Sequence, residues 1–294
     1  MADRVATWLV TDPKGVYWDA TVGAAGHARV IARRLSEGGK LVGSDRDPLA
    51  LDLASAALTD APVTLVPARF SELEQVWREL GVGRLSGILF DFGIGSFQID
   101  DPQRGIAFDR DGPLDMRMDP AGPSLVNWLN HAKEKEVADV IFRWGEERQA
   151  RPIARAIVGR RPLTTTFELR DAILSVAPRH RTKSVARVFQ AFRIWVNDEL
   201  GEIGLALNAL KVMLAVGGRV ATLSYHSLED RAVKQFVRTA ASECICPPRA
   251  PQCTCNHTAW LKPLTRRPEV AGEDEVRGNS RARSAKLRVA ERRA

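Results

Sequence analysis

The chain has 294 residues, enough for one large domain or two modest ones that bury a core without disulfide staples. Hydrophobic residues make up 45% and charged residues 27%, which excludes wholesale disorder and collagen-like structure. No apolar stretch reaches the ~18 residues of a membrane helix, and residues 1–11, with Asp3 and Arg4, lack a signal-peptide core, so a cytoplasmic protein is expected.

The net charge of +7 is unevenly placed. Residues 141–195 carry twelve Lys/Arg against four Asp/Glu, and residues 277–294 carry seven against one, so the remainder is acidic. Two concentrated basic regions would suit a polyanion such as RNA. Solvated helix faces account for the same charge equally well.

In chain order, Val16-Tyr-Trp-Asp-Ala-Thr-Val22 reads as a strand ending in a small-residue loop. Residues 27–35 have helical apolar spacing at Val30, Ile31 and Leu35, stopped by Gly38-Gly39. Strand 40–45 ends in Asp45, and helix 48–58 opens on Pro48. Strand 63–66 follows, then helix 71–80, with Ser71 and Glu74 spaced as a capping box. Gly87-Ile-Leu-Phe-Asp91 is a strand of the kind buried on both faces. Strands alternating with helices predict right-handed βαβ units and a parallel sheet. Residues 98–123, rich in Asp, Gly and Pro, read as a long ordered loop, and residues 125–197 as mostly helical. Helix 198–216, strand 219–225 and helix 228–240 restore the α/β rhythm. Residues from 243 onward look irregular. The expectation is one discontinuous α/β domain, 1–102 with 198–294 (243–294 an irregular basic tail), interrupted by a helical insertion over 103–197 suited to RNA recognition.

Asp19-Ala-Thr-Val-Gly-Ala-Ala-Gly-His27 links the first strand to the first helix. Small residues let backbone approach a ligand, and a helix N-terminus favours negative charge. Asp45 lies where an acid accepts hydrogen bonds from ribose hydroxyls in doubly wound nucleotide folds. A plain helix–sheet junction with a capping acid is the simpler alternative. The loop fits neither Gly-x-Gly-x-x-Gly nor a P-loop. Asp19 would repel a pyrophosphate and suits a cationic ligand. A ribose, an amino group and a sulfonium without phosphate, as in S-adenosylmethionine, match these acids better than NAD does.

These residues, with seven further matches in order, resemble the MraW/RsmH family of S-adenosylmethionine-dependent 16S ribosomal RNA methyltransferases. The matches are Gly43-Ser-Asp-Arg-Asp-Pro48, Asp91-Phe-Gly-Ile-Gly-Ser-Phe-Gln98, Asp100-Asp-Pro-Gln-Arg-Gly105, Asp111-Gly-Pro-Leu-Asp-Met-Arg-Met-Asp119, Phe189-Gln-Ala-Phe-Arg-Ile194 with Val196-Asn-Asp-Glu-Leu200, Tyr225-His-Ser-Leu-Glu-Asp-Arg231 and Ser280-Arg-Ala-Arg-Ser-Ala-Lys-Leu-Arg288. The chain departs from the family in having fewer loop glycines, in Phe92, Ile94 and Gly95, and in lacking the usual His-x-Pro-Val-Leu-Leu before the first strand. The resemblance implies a class I, Rossmann-like methyltransferase sheet. It implies methyl transfer to N4 of a cytidine in the decoding region, with 16S ribosomal RNA or the small ribosomal subunit as partner. It also implies cofactor contacts at Ala25, Gly26, His27, Asp45, Phe70, Asp91 and Gln98. The alternatives are a catalytically weakened RNA-binding paralogue and a nucleotide-dependent oxidoreductase.

The cytosine exocyclic amine is a poor nucleophile, so in-line approach to the methyl and acceptors for the amine hydrogens are what the chemistry needs, and no metal is required. Asp91 and His226 are the catalytic candidates. Phe97 could offer a stacking face, and Glu229 could share the cleft with His226. His226 could equally cap the following helix, and Asp115 could simply pair with Arg117. Cys244, Cys246, Cys253 and Cys255 have the wherewithal for zinc, but Cys-x-Cys is tighter than the usual ligand spacing, and no metal site is expected.

Overall fold

A computed structural model describes residues 1–176, 181–247, 250 and 252–294. The chain forms two compact units, the first Met1–Gly93 with Leu200–Ala294, the second Ile94–Glu199. The sequence reading placed these divisions after residues 102 and 197.

The first unit is built on a sheet of eight strands among the described residues. β1 (Val16–Asp19), β2 (Lys40–Asp45), β3 (Val63–Pro67), β4 (Leu85–Asp91) and β5 (Leu214–Ser224) run parallel in the order β3-β2-β1-β4-β5. Order reversal at β1 and β4 is the doubly wound pattern, which opens a crevice at the strand C-termini.

Side chains alternate across each strand, and both sheet faces are covered. Trp18, Val42, Ile88, Phe90 and Val220 pack with Leu207, Leu210 and Met213 of one helix and Val233 of another. Their neighbours Tyr17, Leu41, Leu89, Ala221 and Leu223 face the other way, into Val5, Ala6, Leu9, Ala28, Ile31 and Ala54. The helices supplying these residues are α1 (Ala2–Leu9), α2 (Gly26–Ala32), α3 (Pro48–Ala57), α11 (Glu199–Met213) and α12 (Ser227–Ala240), and α4 (Leu73–Leu80) adds Leu73 to the first group. α1 was not foreseen; its Val5, Ala6 and Leu9 are all buried against the sheet.

Three sequence expectations are corrected here. The capping box at Ser71/Glu74 does not form. Glu72 instead accepts from the Arg69 N–H, Ser71 donates to Glu202, and Glu74 pairs with Arg78. Helix 198–216 ends at Met213, because Leu214 already pairs with Leu85. The chain then bulges through Gly217, at φ +78, before Arg219 pairs with Gly87.

The third correction concerns the tail, which is regular from Leu261 onward. β6 (Leu261–Pro263), β7 (Glu269–Val270), α13 (Glu273–Gly278) and β8 (Lys286–Arg292) follow α12. β8 lies antiparallel between β5 and β6. Leu287 and Val289 alternate into the core beneath the charged residues between them. The basic residues of β8, and Arg293 just after it, are engaged: Lys286 and Arg288 pair with Asp230, Arg292 donates to the carbonyls of Lys211 and Leu214, and Arg293 pairs with Glu243.

The second unit is helical: α5 (Ser96–Asp100), α6 (Leu125–His131), α7 (Glu134–Gly145), α8 (Ala150–Gly159), α9 (Thr166–Leu174) and α10 (Arg181–Asn197). Leu125, Leu129, Ile141, Ile153, Leu169 and Phe192 form its core. The long loop before α6 is strapped down. Asn197 accepts from the Met118 N–H and donates to the Met116 carbonyl, and Leu114 donates to Thr164. A Cβ on Gly105 would sit 1.9 Å from the Pro113 carbonyl oxygen, and one on Gly112 2.0 Å from that of Pro102, so only glycine fits at either position.

Candidate active site

Three aspartates end three adjacent parallel strands: Asp19 on β1, Asp45 on β2 and Asp91 on β4. They mark the crevice at which open α/β sheets bind ligands. Between Asp19 and α2 the chain turns through Gly23 at φ +49 and Ala25 at φ +63, with the Ala25 N–H bonded to the Val22 carbonyl. The left-handed conformation at Ala25 is one glycine adopts freely, so the loop keeps a glycine-type path with a buried methyl in it.

Asp45 holds this loop. Its Oδ2 accepts from the Gly23 N–H at 3.1 Å and its Oδ1 from the Asp47 N–H at 3.0 Å. Burial nonetheless pushes its pKa up. Thr21 ties two other strand ends together. Its Oγ1 accepts from the Asp91 N–H at 2.7 Å and lies 3.4 Å from Asp19 Oδ1. The Asp19-x-Thr21 spacing was visible in the sequence, but its bridging role needs β1 and β4 side by side.

Asp19 is fully buried, and burial raises its pKa to about 6. Its Oδ1 accepts from the Thr21 N–H, whereas Oδ2 is buried with no hydrogen-bond partner. His27 Nε2 lies 3.4 Å from Asp91 Oδ2. Burial works against a charged imidazole, but the Asp91 contact and the charges of Asp91 and Asp19 outweigh it, and its pKa lies above the usual histidine value. His27 Nδ1 and Asp91 Oδ1 are likewise buried without hydrogen-bond partners. The Tyr225 hydroxyl titrates far above its normal range, through burial first and the adjacent Asp91 second. Tyr225 was read only as part of a motif; its approach to Asp91 is a product of the fold.

A buried polar atom without a partner is costly in a finished core and is expected where a ligand supplies the partner. The site therefore offers a cluster of acceptors and one imidazole. That chemistry fits hydroxyl and ammonium donors and does not fit a pyrophosphate.

Of the remaining expected residues, Gly26 opens α2. Phe70 follows β3 and packs edge-on against Phe90 and Phe92, with centroids 5.5 and 5.8 Å away. Gln98 belongs to the second unit, where its side chain accepts from the Gly95 N–H at 2.9 Å. His226 is the N-cap of α12, its Nδ1 accepting from the Glu229 N–H at 3.4 Å. The Glu229 carboxylate in turn accepts from the Tyr225 and His226 N–H groups, a capping box. Asp115 binds Arg117 through two hydrogen bonds, at 2.5 and 3.2 Å.

A separate cavity of about 370 Å³, lined by Leu210, Val220, Val233 and Phe236 among others, lies away from these aspartates.

Fold and site together define a doubly wound α/β protein with an acid-lined crevice at the ends of its parallel strands. The chain belongs to the MraW methylase family, which it matches over residues 1–293. It is 42% identical over 302 residues to the ribosomal RNA small subunit methyltransferase H of Trichlorobacter lovleyi, covering 99% of this chain and 96% of that one. To the protein of the same name from Geobacter sulfurreducens it is 45% identical, covering 99% and 97%. Among solved structures it is similar to an rRNA methylase from Streptococcus thermophilus, at 14% identity and a TM-score of 0.43 over 100% of this chain and 94% of the other.

Proposed function

We propose that this protein transfers a methyl group from S-adenosylmethionine to N4 of a cytidine in the decoding region of 16S ribosomal RNA. Membership of the methylase family, with relatives named for the small-subunit ribosomal RNA, supports the substrate class. The observation that carries the choice of methyl donor is the acceptor-rich crevice, with buried Asp19 Oδ2 and Asp91 Oδ1 unpartnered. Such a crevice suits a cationic nucleoside that lacks phosphate. S-adenosylmethionine, when bound, supplies a methyl group activated by its sulfonium.

In this reading Asp45 accepts from the ribose hydroxyls while it holds the Gly23 turn. Ala25, Gly26 and His27 form the loop floor, and Phe70 adds an apolar wall. Asp19, ionised above about pH 6, and Asp91 receive an ammonium or amine donor. Asp91 is also the candidate to draw on the cytosine amine hydrogens, with Tyr225 and His27 orienting its carboxylate. His226 is better supported as the cap that orders the start of α12 than as a proton carrier, since its Nδ1 is already engaged. A ribosomal substrate implies work in the cytoplasm. Among the described residues no helix is long and apolar enough to cross a membrane.

Mass spectrometry of 16S fragments from a deletion strain tests the proposal. One decoding-region cytidine is expected to lose a methyl group and to regain it with the wild-type gene. An unchanged fragment pattern overturns the assignment, and binding of the RNA without turnover supports the weakened paralogue instead.

A further inference from the structure

The four cysteines lie outside the methyltransferase crevice, in the excursion between α12 and β6. Their sulfurs converge. Cys244 Sγ is 3.5 Å from Cys253 Sγ and 3.7 Å from Cys255 Sγ. Cys253 and Cys255 are 3.6 Å apart, and Cys246 lies 4.0 Å from Cys253. All four sulfurs fall within 4.8 Å of one another.

Two disulfides would bring sulfurs together in pairs at ~2 Å and leave the pairs independent. Here one cluster of four forms instead. A tetrahedral tetrathiolate with zinc–sulfur bonds of ~2.3 Å places its sulfurs about 3.8 Å apart, which these separations bracket. Backbone N–H groups point at the sulfurs as well: Ile245 at Cys255, Cys246 at Cys244, and Thr254 at Cys246.

The surroundings give the cluster a physical purpose. None of the excursion's described residues is buried, and Ile245 is half exposed. Its two ends are closed by the Trp260 N–H on the Ala240 carbonyl and by His257 Nε2 against the Thr239 carbonyl. Beyond them the chain enters β6, which pairs with β8 in the sheet. A metal at the four sulfurs would supply the missing interior and fix the route from α12 to β6.

We propose that Cys244, Cys246, Cys253 and Cys255 bind one structural zinc ion. The tight Cys-x-Cys spacing that counted against zinc in the sequence becomes two short knuckles whose sulfurs meet face to face. Binding displaces the thiol protons to solvent and forms four zinc–sulfur bonds with no change of oxidation state. With all four positions taken by sulfur, no site remains for water or substrate, so the ion has no catalytic part.

The test uses the whole protein, purified under reducing conditions from zinc-supplemented medium. Elemental analysis is expected to find one zinc per chain, and cobalt substitution to give the visible absorption of tetrahedral thiolate coordination. Zinc should shield all four thiols from a thiol reagent, and a chelator should expose them and speed amide exchange in residues 241–260. Cys246→Ser and Cys253→Ser should each lower the zinc content severalfold while the far-ultraviolet spectrum stays that of the wild type. If a variant fails to fold, the chelation arm on wild-type protein still decides. Metal-free protein whose four thiols react freely in zinc-containing buffer overturns the proposal, as does a pair of disulfides or iron in place of zinc.

Discussion

Asp19 is a fully buried carboxylate whose ionisation burial opposes. Its pKa of about 6 means that the folded protein holds this proton more tightly than the unfolded chain does. Its contribution to stability is therefore fully present below the ordinary aspartate value of ~4 and is lost as pH rises through about 6. Asp19→Asn removes that titration. The variant is expected to be more stable than wild type at pH 7, by up to ~3 kcal/mol, with the difference shrinking towards pH 4. It should bind S-adenosylmethionine more weakly. Urea titrations at both pH values check this, and a difference that does not vary with pH would remove Asp19 as the titrating group. Asp45→Ala should weaken S-adenosylmethionine by ~1–3 kcal/mol in a calorimetric titration, since both the ribose and the Gly23 turn lose an acceptor. Unchanged affinity would show that the ribose lies elsewhere. Asp91→Asn separates binding from chemistry. If Asp91 acts in the transition state, single-turnover methylation at saturating cofactor slows ~10²-fold or more while the cofactor Kd moves little. A weakened Kd with the rate retained at saturation makes it a binding residue, and no effect on either excludes it from the site.

At the scale of elements, β8 changes the meaning of the basic C-terminal stretch. Leu287 is fully buried and pairs across to Leu223 of β5. Leu287→Ala is expected to cost ~2–5 kcal/mol in urea denaturation, the usual penalty for emptying a core leucine site. A cost well under 1 kcal/mol would mean that β8 is peripheral to the sheet. The clue was present in the sequence as Leu287 and Val289 alternating with charged residues. The charge of Lys286, Arg288, Arg292 and Arg293 dominates the composition there and masks that alternation. Only the placement of Asp230 on α12 shows that two of those cations are spent inside the molecule. The same lesson holds at Ser71, whose capping pattern was legible but was overridden by Glu202, far away in the chain.

For the whole molecule, the basic segment within the helical unit remains the better candidate for RNA. Lys183 is exposed, and Arg187, half exposed, lies 3.5 Å from Glu147. Of their partners in the sequence reading, Arg179 and the Arg181 side chain lie outside the described residues. Replacing Arg179, Arg181, Lys183 and Arg187 together should lower RNA affinity and flatten its salt dependence by ~0.7–0.9 per lost phosphate contact. Cofactor affinity should be unchanged. Binding measured across a salt series decides, and an unaltered slope moves the RNA contact away from this segment.

The parallel α/β order, the loop after β1 and the strand-end acids were legible from local signals: period-2 apolar runs, punctuating glycines, and Asp19, Asp45 and Asp91 closing their strands. Such features depend on neighbours within a few residues, and so the sequence by itself determines them. The reach of Thr21 to Asp91, the approach of Tyr225 to Asp91 and the entry of β8 into the sheet depend on segments roughly 60 to 135 residues apart in the chain. No local propensity encodes those pairings. They follow from burying both faces of one sheet at once, a condition that is met only when the whole first unit has assembled.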